Sequence, residues 1–290
     1  MQVVGCDFSS SPSRRKPIVV AHGVFDGAAG TVQLQGFTRY ENLSAWADWL
    51  AQPGAWTGGF DLPFGLPRAL VAQLGWPQDW LACMQHYCAL ARPAIRQQFA
   101  AFCAARPVGG KFAHRQTDGP AGSSPSMKWV NPPVAYMLHA GVPLLLAAQI
   151  AMPGLHATGS NKVALEAYPG MLARQVLGRT SYKSDDKQRQ TPEREQARAQ
   201  LWQALIDGRT ALGLRLQASA SLRSAALADA TGDHVDAVVC MLQAAWGLRA
   251  RLAGDTRYGL PADMDPLEGW IVTAQPQPQC WRWGRAARLM

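Results

Sequence analysis

VVGCDFSSS at residues 3–11 and GGFDLPFGLP at residues 58–67 share one grammar: an apolar run leads into an aspartate, Asp7 or Asp61, and serine or proline follows within two residues. Buried strands that end in a turn are written this way. ALEAYPG at 164–170 repeats the pattern with Glu166, and TGDHVDAVVC at 231–240 puts Asp233 and Asp236 where an apolar helix opens. Each carboxylate stands where a strand or helix meets a loop. Carboxylates from neighbouring strand ends and a facing helix repel one another, or hold protons, unless cations fill the space between them. Every candidate ligand is an oxygen, so the expected cation is hard, Mg²⁺ or Mn²⁺.

Outward from these stretches, residues 2–7, 17–24 and 31–37 read as three antiparallel strands in meander order, the last two joined through an Asp26-Gly27 turn. Ser44 reads as the N-cap of a helix over 45–51 that presents Trp46, Trp49 and Leu50 on one side, and 56–61 is a fourth strand. Helices follow at 68–74, 80–90 and 95–105, then a Gly/Pro/Ser-rich basic loop over 106–133, a helix over 134–151 and a fifth strand at 162–167. Residues 64–159 are therefore a helical insertion within a single domain spanning 1–290. Helices at 169–177, 192–207 and 235–252 come next, and 270–274 with 280–284 are expected to close the chain as a hairpin. The order predicts an α/β fold with a mixed sheet flanked by helices.

At 290 residues, 48% of them hydrophobic, the chain can bury a substantial core. A net charge of +8 with only 17% charged residues favours a polyanionic, phosphate-bearing partner over a solvated basic tail. Cys6, Cys83, Cys88, Cys103, Cys240 and Cys280 form no C-x-x-C pair and read as reduced core residues, which with no visible secretory signal suggests a cytoplasmic protein. The longest apolar run, 142–152, is too short for a bilayer that needs about 20 residues, so no membrane partner is expected.

Taken in order, GCDFS (5–9), FDLPFGLP (60–67), EAYP (166–169), SYKSD (181–185) and DHVDA (233–237) resemble the predicted nucleases of ribonuclease H-like fold grouped as domain-of-unknown-function family 429. The matching phrases span most of the chain. The resemblance implies a ribonuclease H-like sheet and metal-dependent hydrolysis of phosphodiester bonds in DNA or RNA. Two cations about 4 Å apart are the arrangement such carboxylate clusters serve. By that similarity Asp7 bridges the metals, Asp61, Glu166 and Asp236 are outer ligands, and Asp233 assists.

Local readings stand beside this one. Asp233 suits an N-cap, and Asp236, read as the third helical position, suits a capping-box-like role at the positive end of the helix dipole. Asp7 and Asp61 suit turns. Glu166, inside the apolar run VALEAY, is costly to bury without a partner. In the basic loop, Lys111, His114, Arg115 and Lys128 with Trp129 and Asn131 offer phosphate and base contacts, or a solvated surface. Lys183 beside Asp185 suits phosphate binding or orientation of a ligand acid, and His234 between two acids is the one candidate proton shuttle. Two other functions remain open: a non-catalytic nucleic-acid- or partner-binding module, and a sugar-kinase- or actin-like ATP-dependent enzyme. The latter shares the sheet order and the serine cluster after Asp7, but needs glycine-rich phosphate loops.

Overall fold

The computed structural model describes residues 1–275. β1 (Gln2–Asp7), β2 (Ile18–Asp26) and β3 (Thr31–Tyr40) form the antiparallel meander. Helix α1 (Leu43–Ala51) then crosses to β4 (Trp56–Asp61), which pairs with β1 in parallel. β5 (Lys162–Glu166) extends the parallel half beyond β4, and a short β6 (Arg215–Gln217) pairs in parallel with β3. The mixed sheet has six strands in the order β5-β4-β1-β2-β3-β6 and is flanked by helices.

Between β4 and β5 the chain is helical: α2 (Arg68–Gln73), α3 (Trp80–Ala89), α4 (Arg92–Ala104), α5 (Asp118–Ala121) and α6 (Val134–Ala147). Side chains alternate between the faces of a strand, and the core divides accordingly. Val4, Cys6 and Phe60 point to one face and share a single apolar cluster with Leu70, Tyr87, Phe99 and Leu138 of these helices. Val3, Val19 and Ala21 point to the other. That second face is covered by α7 (Pro169–Leu177), α8 (Pro192–Ile206), α9 (Ala220–Ala228) and the long α10 (Asp233–Leu252).

Two glycines set how closely α10 lies on the sheet. A Cβ on Gly5 would stand 2.0 Å from the Ala237 carbonyl oxygen, and one on Gly59 would stand 2.2 Å from that of Cys240. Only glycine allows backbone to rest against backbone here. The first turn of α10 is thereby laid over the strand ends, two residues further on, where Asp7 and Asp61 lie.

Several boundaries differ from expectation. Asn42, not Ser44, caps α1, its side-chain oxygen accepting from the Ala45 amide at 2.8 Å. α6 ends at Ala147, and Gln149 just beyond it adopts a positive φ of 54°. β6 and α9 were not expected. Residues 270–274 form turns rather than a strand, the Val272 amide donating to the Glu166 carbonyl, and 280–284 lie outside the described residues. No helix among the described residues is long and apolar enough to cross a membrane.

Candidate active site

Asp7 and Asp61 close adjacent parallel strands in register, so their side chains leave the same face of the sheet from Cα atoms about 4.8 Å apart. That is the face on which α10 rests. Gly232 occupies the N-cap of α10 with φ 80°, which makes Asp233 the first helical residue and Asp236 the fourth. No side chain caps this helix, so the capping reading of these two acids is corrected. The fully buried carboxylate of Asp236 instead accepts hydrogen bonds from the Tyr182 hydroxyl and the Lys183 ammonium.

The crowding shows in the proton affinities. Burial, then the charges of Asp236 and Asp233, push Asp7 well above the usual carboxylate range, with Lys183 opposing them. Burial and Asp236 push Asp61 up to about 7, again against Lys183. Burial also raises Asp233, with Asp229 adding to it. Burial disfavours the charge on Lys183, but Asp236, Tyr182 and Asp7 outweigh it and hold the ammonium well above its ordinary value. Lys183 is thus a positive charge supplied by the chain itself, with 41% of its side chain open to solvent. Among the described residues no three His, Cys, Asp or Glu side chains already close around one point as a preformed cation site. The donor set nevertheless fits a hard cation: the acids are all-oxygen, and Asp7, Asp61 and Asp233 hold protons more tightly than usual, first through burial and then through the charge of neighbouring carboxylates.

Glu166 lines the same cavity as Asp7, Asp61 and Asp233, and its charge adds to the rise of Asp61, but it is held differently. It registers with Phe60, not Asp61, and so leaves the opposite face of the sheet. There its two oxygens accept from both terminal nitrogens of Arg115, at 2.6 and 2.8 Å, and from the Phe64 amide at 3.0 Å. Arg115 also holds Asp118 through Nε and Nη2, at 3.1 and 3.0 Å, and donates to the Glu268 carbonyl. Burial raises the Glu166 pKa while Arg115 opposes the rise. Its carboxylate is therefore engaged by a guanidinium at the edge of the cavity that the aspartates line. The expectation that Arg115 contacts phosphate is corrected for the same reason: only 3% of the residue is exposed, and its donors are occupied.

A cavity of about 820 Å³ opens above the strand ends. Asp7, Asp61 and Asp233 line it, as do Lys16, Arg92 and Lys183, whereas Asp236 sits behind the wall. Lys111 and Asn131 are exposed, Lys128 is half-buried, and none of the three lines the cavity. Trp129 packs on Phe99 and Phe112, within the insertion. His234 is no shuttle in this arrangement: its Nδ1 lies 2.7 Å from Asp229, and Phe37 meets its ring edge-on. Burial pushes the Cys6 and Cys240 thiols well up, with nearby aspartates adding to it. Tyr182, Arg92 and Lys16 were missed from the sequence. Tyr182 alone had a signal, its place beside Lys183 in SYKSD.

Comparison of the chain with family models, with curated proteins and with solved structures gives no match.

The raised aspartates fix a pH dependence. Aspartate ordinarily titrates near 3.8 and Asp61 in the folded protein at about 7, so between these values the folded chain holds a proton that the unfolded chain has lost. The stability this proton contributes is fully present below 3.8 and is lost as pH rises through about 7. Thermal melting in EDTA should therefore fall across that window in the wild type and much less in Asp61→Asn. Millimolar Mn²⁺ at neutral pH should raise the wild-type melting temperature, since a ligand that binds only the folded state stabilises it. Equal pH profiles for the two proteins would remove Asp61 from the cluster.

Proposed function

We propose that the chain is a divalent-metal-dependent nuclease, a hydrolase of phosphodiester bonds built on a ribonuclease H-like sheet. One observation carries this reading: Asp7 and Asp61 end neighbouring parallel strands in register, beneath a helix whose first turn brings Asp233 to line the same cavity and Asp236 to lie buried behind it. The strand order β3-β2-β1-β4-β5, with β2 alone antiparallel among these five to its neighbours, supports a ribonuclease H-like assignment. So does the resemblance of the acidic phrases to the predicted nucleases named above.

Asp7 and Asp61 would hold Mg²⁺ or Mn²⁺, with Asp233 and Asp236 as the helix-borne acids. A bound cation supplies the charge that activates water and stabilises the leaving oxygen of a phosphodiester. The chain's own residues do the remaining work. Lys183 donates to the Asp236 carboxylate and places positive charge beside the site. Arg92 places positive charge at the cavity wall, where a phosphate would be oriented, and Lys16 there is paired with Asp185. Glu166 and Arg115 anchor the loop after α4 to the end of β5, and so fix the wall of the cavity.

The test is a cleavage assay over single-stranded, duplex, hybrid and branched substrates. The expected outcome is hydrolysis of at least one with Mg²⁺ or Mn²⁺ and none with EDTA. Failure to cleave any of them with either metal would sink the proposal, and a large melting shift specific to ATP would move the reading toward the kinase-like enzymes.

A further inference from the structure

The cavity has walls, and they come from different parts of the chain. On one side stand the starts of α4 and α6, with Arg92, Pro132, Pro133 and Tyr136. On the other stands the segment around Lys183, joined to the β1–β2 loop by the ion pair of Asp185 with Lys16. Asp7 and Asp61 lie half-buried between the two. A recess of about 820 Å³ matches the pockets of roughly 300–1,000 Å³ that enclose small ligands. Duplex recognition instead spreads over about 1,000–2,500 Å² of protein surface.

One wall is also equipped for an unstacked base. The guanidinium carbon of Arg92 lies 4.9 Å from the centre of the half-buried Tyr136 ring. Its Nη2 donates to the Ser10 carbonyl at 3.0 Å and its Nη1 reaches the Ser11 hydroxyl at 3.4 Å, so the pair is fastened to the loop that follows Asp7. An aromatic ring with a guanidinium plane on it is what unpaired bases stack against, and it does so with little regard to sequence. Pro132 and Pro133 beside it give a stiff apolar edge. Taking the nucleic-acid partner from the reading above, we infer that the chain acts on unpaired nucleic acid, a single strand or a frayed end, with one base seated against Tyr136 and Arg92 while its phosphate lies toward the cation that Asp7 and Asp61 would hold.

The experiment measures fluorescence anisotropy of the full chain with Ca²⁺ and a short labelled single strand, and with a blunt duplex of the same sequence, in DNA and RNA forms. The single strand should bind at least about tenfold tighter. Tyr136→Ala should weaken that binding about tenfold, and Tyr136→Phe, which keeps the ring, should restore it. Equal affinity for duplex and single strand, or a silent Tyr136→Ala in a protein that melts normally, would overturn the inference. So would full competition by a free mononucleotide at the oligonucleotide's own affinity, which would mark a nucleotide-processing enzyme. Metal-dependent cleavage of duplex with a silent Tyr136→Ala sinks this inference and leaves the hydrolase reading standing. Tyr136-dependent binding of single strands without cleavage under Mg²⁺ or Mn²⁺ supports the base seat and sinks the hydrolase reading.

Discussion

Asp7→Asn should lower metal-dependent cleavage by about 10³-fold or more, a loss of about 4 kcal/mol in transition-state stabilisation, and should leave the fold intact. The amide keeps the size of the carboxylate and removes its charge. Asp7 is packed among Asp61, Asp233 and Asp236, and burial together with these charges makes its ionised form costly. Without metal the substitution should therefore be neutral or stabilising, and the gain from Mn²⁺ should largely vanish. A turn-forming aspartate would keep its turn as asparagine and lose it as alanine. Retained cleavage in Asp7→Asn alongside a lowered melting temperature in Asp7→Ala would assign Asp7 to the turn.

Arg115→Ala should have the largest effect on stability, about 3–5 kcal/mol, because it strands two buried carboxylates without their partner. The Arg115 side chain is 2% exposed, that of Asp118 0% and that of Glu166 3%, so solvent cannot take over the lost role. Against a total of about 5–15 kcal/mol for a typical domain, the loss is severe. Arg115→Lys keeps the charge but not the fork that grips both acids, and should fall between. Urea unfolding reads the result directly: a midpoint shift below what about 1 kcal/mol produces would show that Glu166 and Asp118 find other partners.

The sheet was legible because its signals are local. The runs into Asp7 and Asp61 carry their own turn residues, and the Asp26-Gly27 turn fixes the β2–β3 hairpin. β6 has three residues and α9 buries only Ala226, so neither had the periodicity that reveals an element. Glu166 shows where local reading ends. Its burial was readable from VALEAY, and so was its need of a partner. The partner lies 51 residues away in a loop, and the face it leaves depends on register with β4, which pairing alone decides. Arg115 was misplaced for the mirror-image reason: an arginine in a basic, glycine-rich stretch looks exposed until its acids are located. Asp233 and Asp236 look like caps in isolation, yet Gly232 takes the N-cap and frees both for other partners. Lys183 reads in the sequence as a charge beside Asp185, whereas its place on Asp236 arises only when α10 and the segment before α8 meet.

The central claim is that Asp7 and Asp61 form the floor of a cation site. Crystals soaked in Mn²⁺ and measured for anomalous scattering test it most directly. The expected result is one or two peaks within ligating distance of the Asp7 and Asp61 carboxylates, absent in Asp7→Asn. Well-ordered Asp7 and Asp61 side chains with no peak between them, at Mn²⁺ concentrations that support cleavage, would contradict it.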